Sequence, residues 1–211
     1  MSEALLEVSD LLCERDDRLL FQGLSFSVTS GDVVQIEGPN GSGKTSLLRI
    51  LCGLSDHFEG AISWRQQPIG KVRQAFYAEL LYQGHQAGIK SVLTAQENLQ
   101  WSGVLHEDIS IEQINAALAK VGLQGFEDVP CYSLSAGQQR RVGLARLFLT
   151  AAPLWILDEP FTAIDKSGVA ELEKVIAQHA LNGGSVILTT HHELHLDVSV
   201  RKVKLGEAAL A

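Results

Sequence analysis

The chain has 211 residues, of which 45% are hydrophobic and 20% are charged, and its formal net charge is −8 at pH 7. This length and composition predict a globular protein of one domain, large enough to bury a substantial core and to carry an inserted subdomain. The acidic balance argues against a protein that coats nucleic acid, because neutralising phosphates requires clustered Lys and Arg side chains.

The first part of the chain is predicted to form strands. Residues 5–13 and 19–28 read as two strands joined by a polar turn. In the second of them, Leu24, Phe26 and Val28 alternate with serine and threonine residues, which is the period of a half-buried antiparallel strand. An N-terminal antiparallel pair is therefore expected.

A glycine-rich stretch at residues 38–45 fits G-x-x-x-x-G-K-[ST], the pattern of a loop that wraps nucleotide phosphates. Its glycines lack Cβ atoms, so the backbone can turn tightly and approach an anion, and the helix that follows adds a positive dipole end. Lys44 adds a charge that can reach the outer phosphates, and the Thr45 hydroxyl can ligate Mg²⁺.

A glycine-rich turn without a ligand is the alternative reading of this stretch. However, a buried strand predicted at residues 32–37 leads into it, and an amphipathic helix predicted at residues 46–51 leads out of it. This context favours a nucleotide site. The predicted nucleotide contacts are Gly38, Pro39, Asn40, Gly41, Ser42, Gly43, Lys44, Thr45 and Ser46.

The middle of the chain is predicted to change from strands to helices. Residues 60–64 predict a short edge strand, and residues 79–83 are apolar enough to return to a central sheet. Residues 84–90 contain glycines and polar side chains and are expected to form a flexible loop. If this loop has a functional role, we expect it to connect the nucleotide-binding core to a partner.

Two capping-box patterns follow, at residues 94–97 and 110–113. Each predicts a helix start, and the two helices are expected to end near Val104 and Lys120 respectively. Residues 86–150 are therefore expected to form an all-helical insert between strands.

The stretch at residues 134–138 predicts a further helix start, with Ser135 as N-cap, Gln138 at the capping-box position and a helix over residues 140–149. Such a helix end exposes N–H groups and a positive dipole, which can bind a phosphate. The chain already has one phosphate loop, so this second end would serve the nucleotide of another molecule. The residues concerned are Leu134, Ser135, Ala136, Gly137 and Gln138.

Two apolar runs, at residues 154–158 and 185–190, predict buried strands of a mostly parallel α/β sheet. Asp158 and Glu159 stand where the first of these strands ends, which is where open α/β sheets place ligand groups. One carboxylate there can hold Mg²⁺, and the next can polarise an attacking water. The alternative is a strand that simply ends in solvated acids.

The phosphate loop, the sequence Leu-Ser-Ala-Gly-Gln, a strand ending in Asp-Glu and a histidine after a later strand occur in this order. Together they resemble the ATP-binding subunits of ABC transporters, over nearly the whole chain. The resemblance implies one domain over residues 1–211, with a P-loop NTPase core, an N-terminal antiparallel β-subdomain and an inserted α-helical subdomain. It also implies that ATP and Mg²⁺ bind, and that two copies form a head-to-tail dimer. In that dimer each phosphate loop faces residues 134–138 of the other copy.

The same resemblance implies roles for single residues. Glu159 is expected to orient the attacking water, and His191 is expected to contact the γ-phosphate. Mg²⁺ would be held by Thr45, Gln86 and Asp158, with Gln86 also sensing the transporter. Residues 163–165 match the loop through which the two subunits communicate. The rings of His191 and His192 both fit the contact with the γ-phosphate, and Gln83 competes with Gln86 for the place of the loop glutamine.

The family usually stacks adenine on an aromatic side chain near the end of the first strand. This chain has Arg15 in the corresponding turn. A guanidinium can stack through its plane, so Arg15 is the expected adenine contact, with Phe21 as the alternative.

Within the family, the runs at residues 81–90, 160–165 and 188–191 resemble the ATP-binding protein of the cytochrome c maturation system. This implies ATP hydrolysis coupled to haem export, or to ATP-driven release of haem from its periplasmic chaperone. Integral-membrane permease subunits would be partners, and haem would be bound by partners only. The alternatives are a subunit exporting lipid, lipoprotein or peptide, and a non-transport ABC ATPase acting on ribosomes or DNA.

The sequence also gives expectations for location. No run approaches the roughly 18 apolar residues that span a bilayer, and the first residues lack the basic segment of a secretory signal. Cys13, Cys52 and Cys131 lack C-x-x-C spacing, which predicts reduced thiols in place of disulfides or a zinc site. These features predict a chain that does not itself cross a membrane, and the acidic balance predicts no nucleic-acid partner. The resemblance to the cytochrome c maturation system implies a peripheral protein at the cytoplasmic face of the bacterial inner membrane.

Overall fold

The computed structural model describes residues 3–103 and 109–206. Its strands are β1 (Ala4–Arg15), β2 (Arg18–Thr29), β3 (Val33–Glu37), β4 (Glu59–Trp64), β5 (Gln67–Pro68), β6 (Leu80–Gln83), β7 (Leu154–Asp158), β8 (Ser185–Thr189) and β9 (Val200–Lys204). Its α-helices are α1 (Lys44–Leu51), α2 (Arg73–Ala78), α3 (Ala95–Gly103), α4 (Ile111–Lys120), α5 (Ala136–Ala145) and α6 (Lys166–Leu181). Short 3₁₀ turns occupy Ile69–Lys71, Cys131–Ser133 and Arg146–Phe148.

The central sheet has five strands in the order β6-β7-β8-β3-β9, and every neighbouring pair is parallel. All residues of β7 and β8 are buried, as expected for strands covered on both faces. Alternate residues of β7 face opposite layers: Leu154 and Ile156 pack in the core that contains α1, while Trp155 and Leu157 pack in the core that contains α6. The predicted α/β class with a parallel sheet is confirmed.

A second, antiparallel sheet has the order β2-β1-β4-β5. Leu6 and Val8 of β1 share the core of α1, so this sheet covers the same face of the central sheet as that helix. The predicted antiparallel pair at residues 5–13 and 19–28 is present as β1 and β2. The predicted edge strand at residues 60–64 is β4, but it is not at the edge, because the two-residue β5 pairs along its outer side.

Helices α3, α4 and α5 lie between β6 and β7 in the chain and surround a core of their own. Both predicted capping boxes at the first two helices are present: Thr94 with Glu97, and Ser110 with Gln113. Val104, where the first helix was expected to end, lies outside the described residues.

Helix α5 differs from the helix predicted over residues 140–149. It begins at Ala136, and its α-helical part ends at Ala145, after which Arg146–Phe148 tighten into a 3₁₀ turn. Helix α2 was not predicted, because its six residues are too few to show a helical period.

The three cysteines are free and buried. Within residues 3–103 and 109–206, none of the helices has both the length and the apolar character needed to cross a bilayer.

Candidate nucleotide-binding and hydrolysis site

The glycine-rich loop connects β3 to α1 at the carboxyl edge of the central sheet. Gly43 is the N-cap of α1 and has a φ of 93°, a left-handed conformation that favours glycine. A Cβ at Gly38 would lie 2.6 Å from the Ser42 Oγ and 2.9 Å from the Leu205 carbonyl oxygen. A side chain at either position would therefore push the loop away from its present path.

Lys44 lies along the inside of this loop. Its Nζ donates to the Gly38 carbonyl at 2.7 Å and to the Pro39 carbonyl at 3.3 Å. The ammonium group is thus held where the loop curves, at the border of two neighbouring cavities that it helps to line. This arrangement places a fixed positive charge inside a loop shaped to receive an anion.

Asp158, at the end of β7, is 2% exposed and accepts two hydroxyl hydrogen bonds. The Thr45 Oγ1 donates to its Oδ2 at 3.0 Å, and the Thr189 Oγ1 donates to its Oδ1 at 2.7 Å. Two of the three residues predicted as Mg²⁺ ligands, Thr45 and Asp158, are therefore in direct contact. Hydroxyl and carboxylate oxygens are the donors that Mg²⁺ prefers, so this pair fits the ion.

The charge of Asp158 also acts on its buried neighbours. Burial raises the pKa of the Cys52 thiol, and the Asp158 carboxylate raises it further. Burial raises the pKa of Tyr82 to about 12, with added contributions from Cys52 and Asp158 and an opposing one from Arg49. The Asp158 carboxylate thus contributes to the electrostatics of the groups around it.

Glu159 follows Asp158 in a left-handed conformation, with a φ of 51°. Its N–H donates to the Thr189 Oγ1 at 3.0 Å, which fixes the backbone of this turn. Its carboxylate accepts the His191 backbone N–H at 3.3 Å, and the His191 Nε2 lies 3.6 Å from its Oε1. The two residues predicted to be catalytic are therefore adjacent. Glu159 lines the same cavity as Lys44 and Thr45 of the phosphate loop.

A cavity of about 500 Å³ lies in front of the loop. Predicted site residues that line it are Arg15, Asn40, Gly41, Gly43, Lys44, Thr45, Ser46, Asp158, Glu159 and His191. His85 and Thr162 also line it and were not predicted.

The two competing glutamines lie differently. Gln83 is buried, and its Nε2 donates to the carbonyls of Gln86 and Ala87 at 3.3 and 3.4 Å, so it fixes the loop backbone. Gln86 is exposed, and the side chain that lines the cavity from this loop is His85. Phe21, the alternative adenine contact, is 6% exposed and packs under Gly43, where a Cβ would lie 3.2 Å from its ring.

The predicted helix start at residues 134–138 has its capping box: the Ser135 Oγ accepts the Gln138 N–H at 3.2 Å, and the Gln138 Oε1 accepts the Ser135 N–H at 2.9 Å. Ser135 and Ala136 are exposed. None of the described residues that line the cavity comes from residues 134–138. The structure of one chain therefore does not bring this helix start to its own phosphate loop.

Arg140, which the sequence analysis did not single out, links several parts of the site. It is 6% exposed, and its Nη2 donates to the carbonyls of Asp158 and Glu159 at 3.0 and 2.7 Å. Its Nη1 donates to the carbonyls of Gly84 and His85. Burial lowers the pKa of the guanidinium, and the charges of Asp158 and Glu159 oppose that shift. The sequence signal was a cationic residue on the buried side of a predicted helix.

The family model described as "ABC transporter" matches residues 21–162. A protein of Hahella chejuensis named "Cytochrome c biogenesis ATP-binding export protein CcmA" is 57% identical over 202 residues, which are 96% of either chain. A protein of Pseudomonas fluorescens with the same name is 54% identical over 211 residues, the full length of both chains.

Solved structures are similar as well. A putative ABC transporter ATP-binding protein from Pyrococcus furiosus superposes with a TM-score of 0.80 at 26% identity, covering 95% of this chain and 96% of that one. An ATP-binding cassette solved as a dimer in a post-hydrolysis state with ADP and Pi has a TM-score of 0.75 at 21% identity, covering 89% and 88%. The latter likeness concerns the fold alone.

The hydrogen bonds of Arg140 predict how its replacement changes hydrolysis and stability. Arg140→Lys should lower nucleotide hydrolysis by about tenfold or more, since a lysine cannot reach four carbonyls with one planar fork. It should also lower the free energy of unfolding by about 2 kcal/mol, the typical contribution of hydrogen bonds to a charged group. Hydrolysis assays and urea unfolding measure the two effects.

Arg141→Lys is the matched control for this prediction. Arg141 also donates to two carbonyls, those of Val121 and Gly122, but these lie inside the helical part of the chain. Hydrolysis should therefore survive in Arg141→Lys. Equal loss of hydrolysis in the two variants would show that Arg140 has no special connection to the site.

Proposed function

The chain belongs to the ABC transporter family, and we propose that it is the ATP-hydrolysing subunit of an ABC system for cytochrome c maturation, acting in haem export. The observation that carries this proposal is the match, at 54–57% identity over nearly the full length, to relatives named as cytochrome c biogenesis ATP-binding export proteins. The whole chain is taken as one ABC ATP-binding domain, with residues 86–150 as its helical insert.

ATP is proposed to bind with its phosphates in the loop at residues 38–46. The left-handed Gly43 at the start of α1 and the inward Lys44 support this placement. Arg15 lines the same cavity and is proposed to stack on adenine through its guanidinium plane. The alternative contact, Phe21, would first have to leave its packing under Gly43.

Mg²⁺ is proposed to be held by Thr45 and Asp158, whose oxygens are already 3.0 Å apart. When bound, the ion neutralises phosphate charge during hydrolysis. Gln86 is proposed as a further ligand, and the exposed loop that carries it is anchored by Gln83. The loop would have to change its conformation to bring the Gln86 side chain to the ion.

Glu159 is proposed to orient and deprotonate the attacking water, with His191 beside it as the group that contacts the γ-phosphate. The contact between the Glu159 carboxylate and the His191 backbone supports this pairing. His192, the other candidate for the second role, points away, because its Nε2 lies 3.2 Å from the Glu173 carboxylate.

Two copies are proposed to bind two ATP molecules head to tail. The exposed helix start at residues 134–138, which does not line its own chain's cavity, supports this arrangement. Its first-turn N–H groups and the dipole of α5 suit the outer phosphate of a nucleotide held by the other copy. One chain therefore supplies half of each site.

Permease subunits are proposed to dock at a groove of about 840 Å³ between the edge of the central sheet and the helical insert. The exposed Trp101 lines it, with the Lys90 Nζ 3.7 Å from the centre of its ring. Tryptophan is enriched at protein–protein interfaces, so this exposed ring supports a partner surface here. Docking there would place the protein at the cytoplasmic face of the inner membrane, with haem bound by its partners.

The role of Glu159 is tested by Glu159→Gln. This variant should lower ATP turnover by about a hundredfold or more, the usual contribution of a general base, while ATP-driven dimerisation persists. Turnover assays and size-exclusion chromatography with ATP measure the two properties. Glu193→Gln, which neutralises an exposed carboxylate outside the 500 Å³ cavity, should leave turnover unchanged. Wild-type turnover in Glu159→Gln would contradict the assignment.

The shared site is tested by Ser135→Arg. A bulky cation at the exposed start of α5 should block hydrolysis without weakening ATP binding to the monomer. The matched control is Ser110→Arg, which removes the same kind of cap from α4 at a similar cost of about 1 kcal/mol in stability. Loss of monomer binding in Ser135→Arg alone would contradict the head-to-tail arrangement.

The cargo is tested in the organism that carries the gene. Deleting the gene should abolish c-type cytochromes, measured by haem staining of membrane proteins, while b-type haems in the same membranes remain. The wild-type chain should restore c-type cytochromes and Glu159→Gln should not. Unchanged c-type cytochromes in the deletion strain would contradict the haem assignment and leave the ATPase assignment intact.

A further inference from the structure

Three side chains with metal-binding atoms converge beside α6, and none of them lines the 500 Å³ cavity in front of the phosphate loop. They are Glu173 on α6 and His192 and His195 in the segment between β8 and β9. One ligand atom from each lies within 4.8 Å of the others. The His192 Nε2 is 3.2 Å from the Glu173 Oε1, and the His195 Nδ1 is 3.9 Å from the same oxygen.

The position of Glu173 is unusual for a carboxylate. It is 9% exposed and lies on the face of α6 that packs into the core through Leu172 and Ile176. A buried carboxylate is costly unless it is hydrogen-bonded and its charge is balanced. The His195 backbone N–H donates to its Oε1 at 2.8 Å, which supplies a hydrogen bond. The two imidazoles are the side chains beside this oxygen that can balance its charge.

We propose that Glu173, His192 and His195 form a binding site for a divalent transition-metal ion of the zinc type. Two imidazole nitrogens and one carboxylate oxygen are a donor set that suits Zn²⁺, with a fourth position left for water. Ligand atoms bonded at about 2.0–2.1 Å to a tetrahedral ion lie about 3.3 Å apart, close to the shorter of the two separations seen here.

The longer separation, 3.9 Å between the His195 Nδ1 and the Glu173 Oε1, can shorten without a change in the backbone. The His195 side chain is 70% exposed, so its ring is free to turn towards Glu173, and the ion can enter from the same solvent-facing side. Mg²⁺ prefers oxygen ligands in an octahedral arrangement, so it should not compete for this site.

An ion at this cluster would affect the segment that follows His191. The His192 ring packs against Phe161, with ring centres 5.0 Å apart, and His192 directly follows His191. An ion at this cluster would tether the segment after His191 to α6. Metal binding at this cluster is independent of the cargo and of the dimer.

Calorimetric titration of metal-stripped, nucleotide-free protein with Zn²⁺ tests the site. The wild-type chain should bind one equivalent of Zn²⁺ that His195→Ala either does not bind or binds at least about tenfold more weakly. This is the smallest loss of metal affinity caused by removing a group that only supports a ligand, and loss of the ligand itself should cost at least as much. Co²⁺ added to the wild type should give the intense visible absorption of a four-coordinate ion, and His195→Ala should not. His57→Ala removes an exposed imidazole far from the cluster and should behave as the wild type.

A second variant keeps the test independent of His195. Glu173→Gln retains an oxygen that can accept the His195 N–H but is a much poorer ligand, so the fold should hold while Zn²⁺ binding weakens. Zn²⁺ should raise the unfolding temperature of the wild type and of Glu171→Gln, which changes an exposed-side carboxylate of the same helix, but not that of Glu173→Gln. Wild-type Zn²⁺ binding in both His195→Ala and Glu173→Gln would overturn the proposal, as would a wild-type chain that binds no Zn²⁺ at all.

Discussion

The Asp158 carboxylate is the group on which the arrangement of the site depends. It is buried at the end of a central strand and is held by hydroxyls from two directions: Thr45 at the start of α1 and Thr189 at the end of β8. Since Thr189 also accepts the N–H of Glu159, one carboxylate sets the spacing between the phosphate loop, two strands and the residue proposed to act on water. A buried charge of this kind is stable only while its partners stay in place, so the geometry of the loop and that of the strand ends cannot vary independently.

Arg140 extends this dependence to the helical insert. Its guanidinium is fixed in α5 and donates to backbone carbonyls of the 84–85 loop and of the 158–159 turn. Carbonyl groups cannot move without changing the path of the chain, so a shift of α5 is transmitted to the loop before Gln86 and to the turn at Glu159 at the same time. The insert, which the proposed permease would contact, is thereby connected to the proposed hydrolysis site through the buried Arg140 side chain.

The features that were predicted from sequence are those with local causes. The phosphate loop, the capping boxes at Thr94, Ser110 and Ser135, and the buried strands follow from residue order within a few positions, and the structure contains them. Arg140 and His85 were missed because their importance arises from contacts between segments distant in sequence: Arg140 and Gly84 are separated by 56 positions. The position of β4 inside its sheet was also missed, since the two residues of β5 are too few to give a period.

The local structure around residues 163–165 shows how the proposed dimer could influence chemistry within one chain. Gly137, in the first turn of α5, approaches the Ala163 carbonyl so closely that a Cβ would lie 3.2 Å from it. Ala163 has a left-handed φ of 61°, and Asp165 caps α6 by accepting the Gly168 N–H. A nucleotide held by the other copy against Ser135 would therefore touch a helix start that rests on the turn leading from Glu159 into α6. Because α6 also carries Glu173, which holds the segment after His191, these contacts lead both to Glu159, proposed to act on water, and to His191, proposed to contact the γ-phosphate.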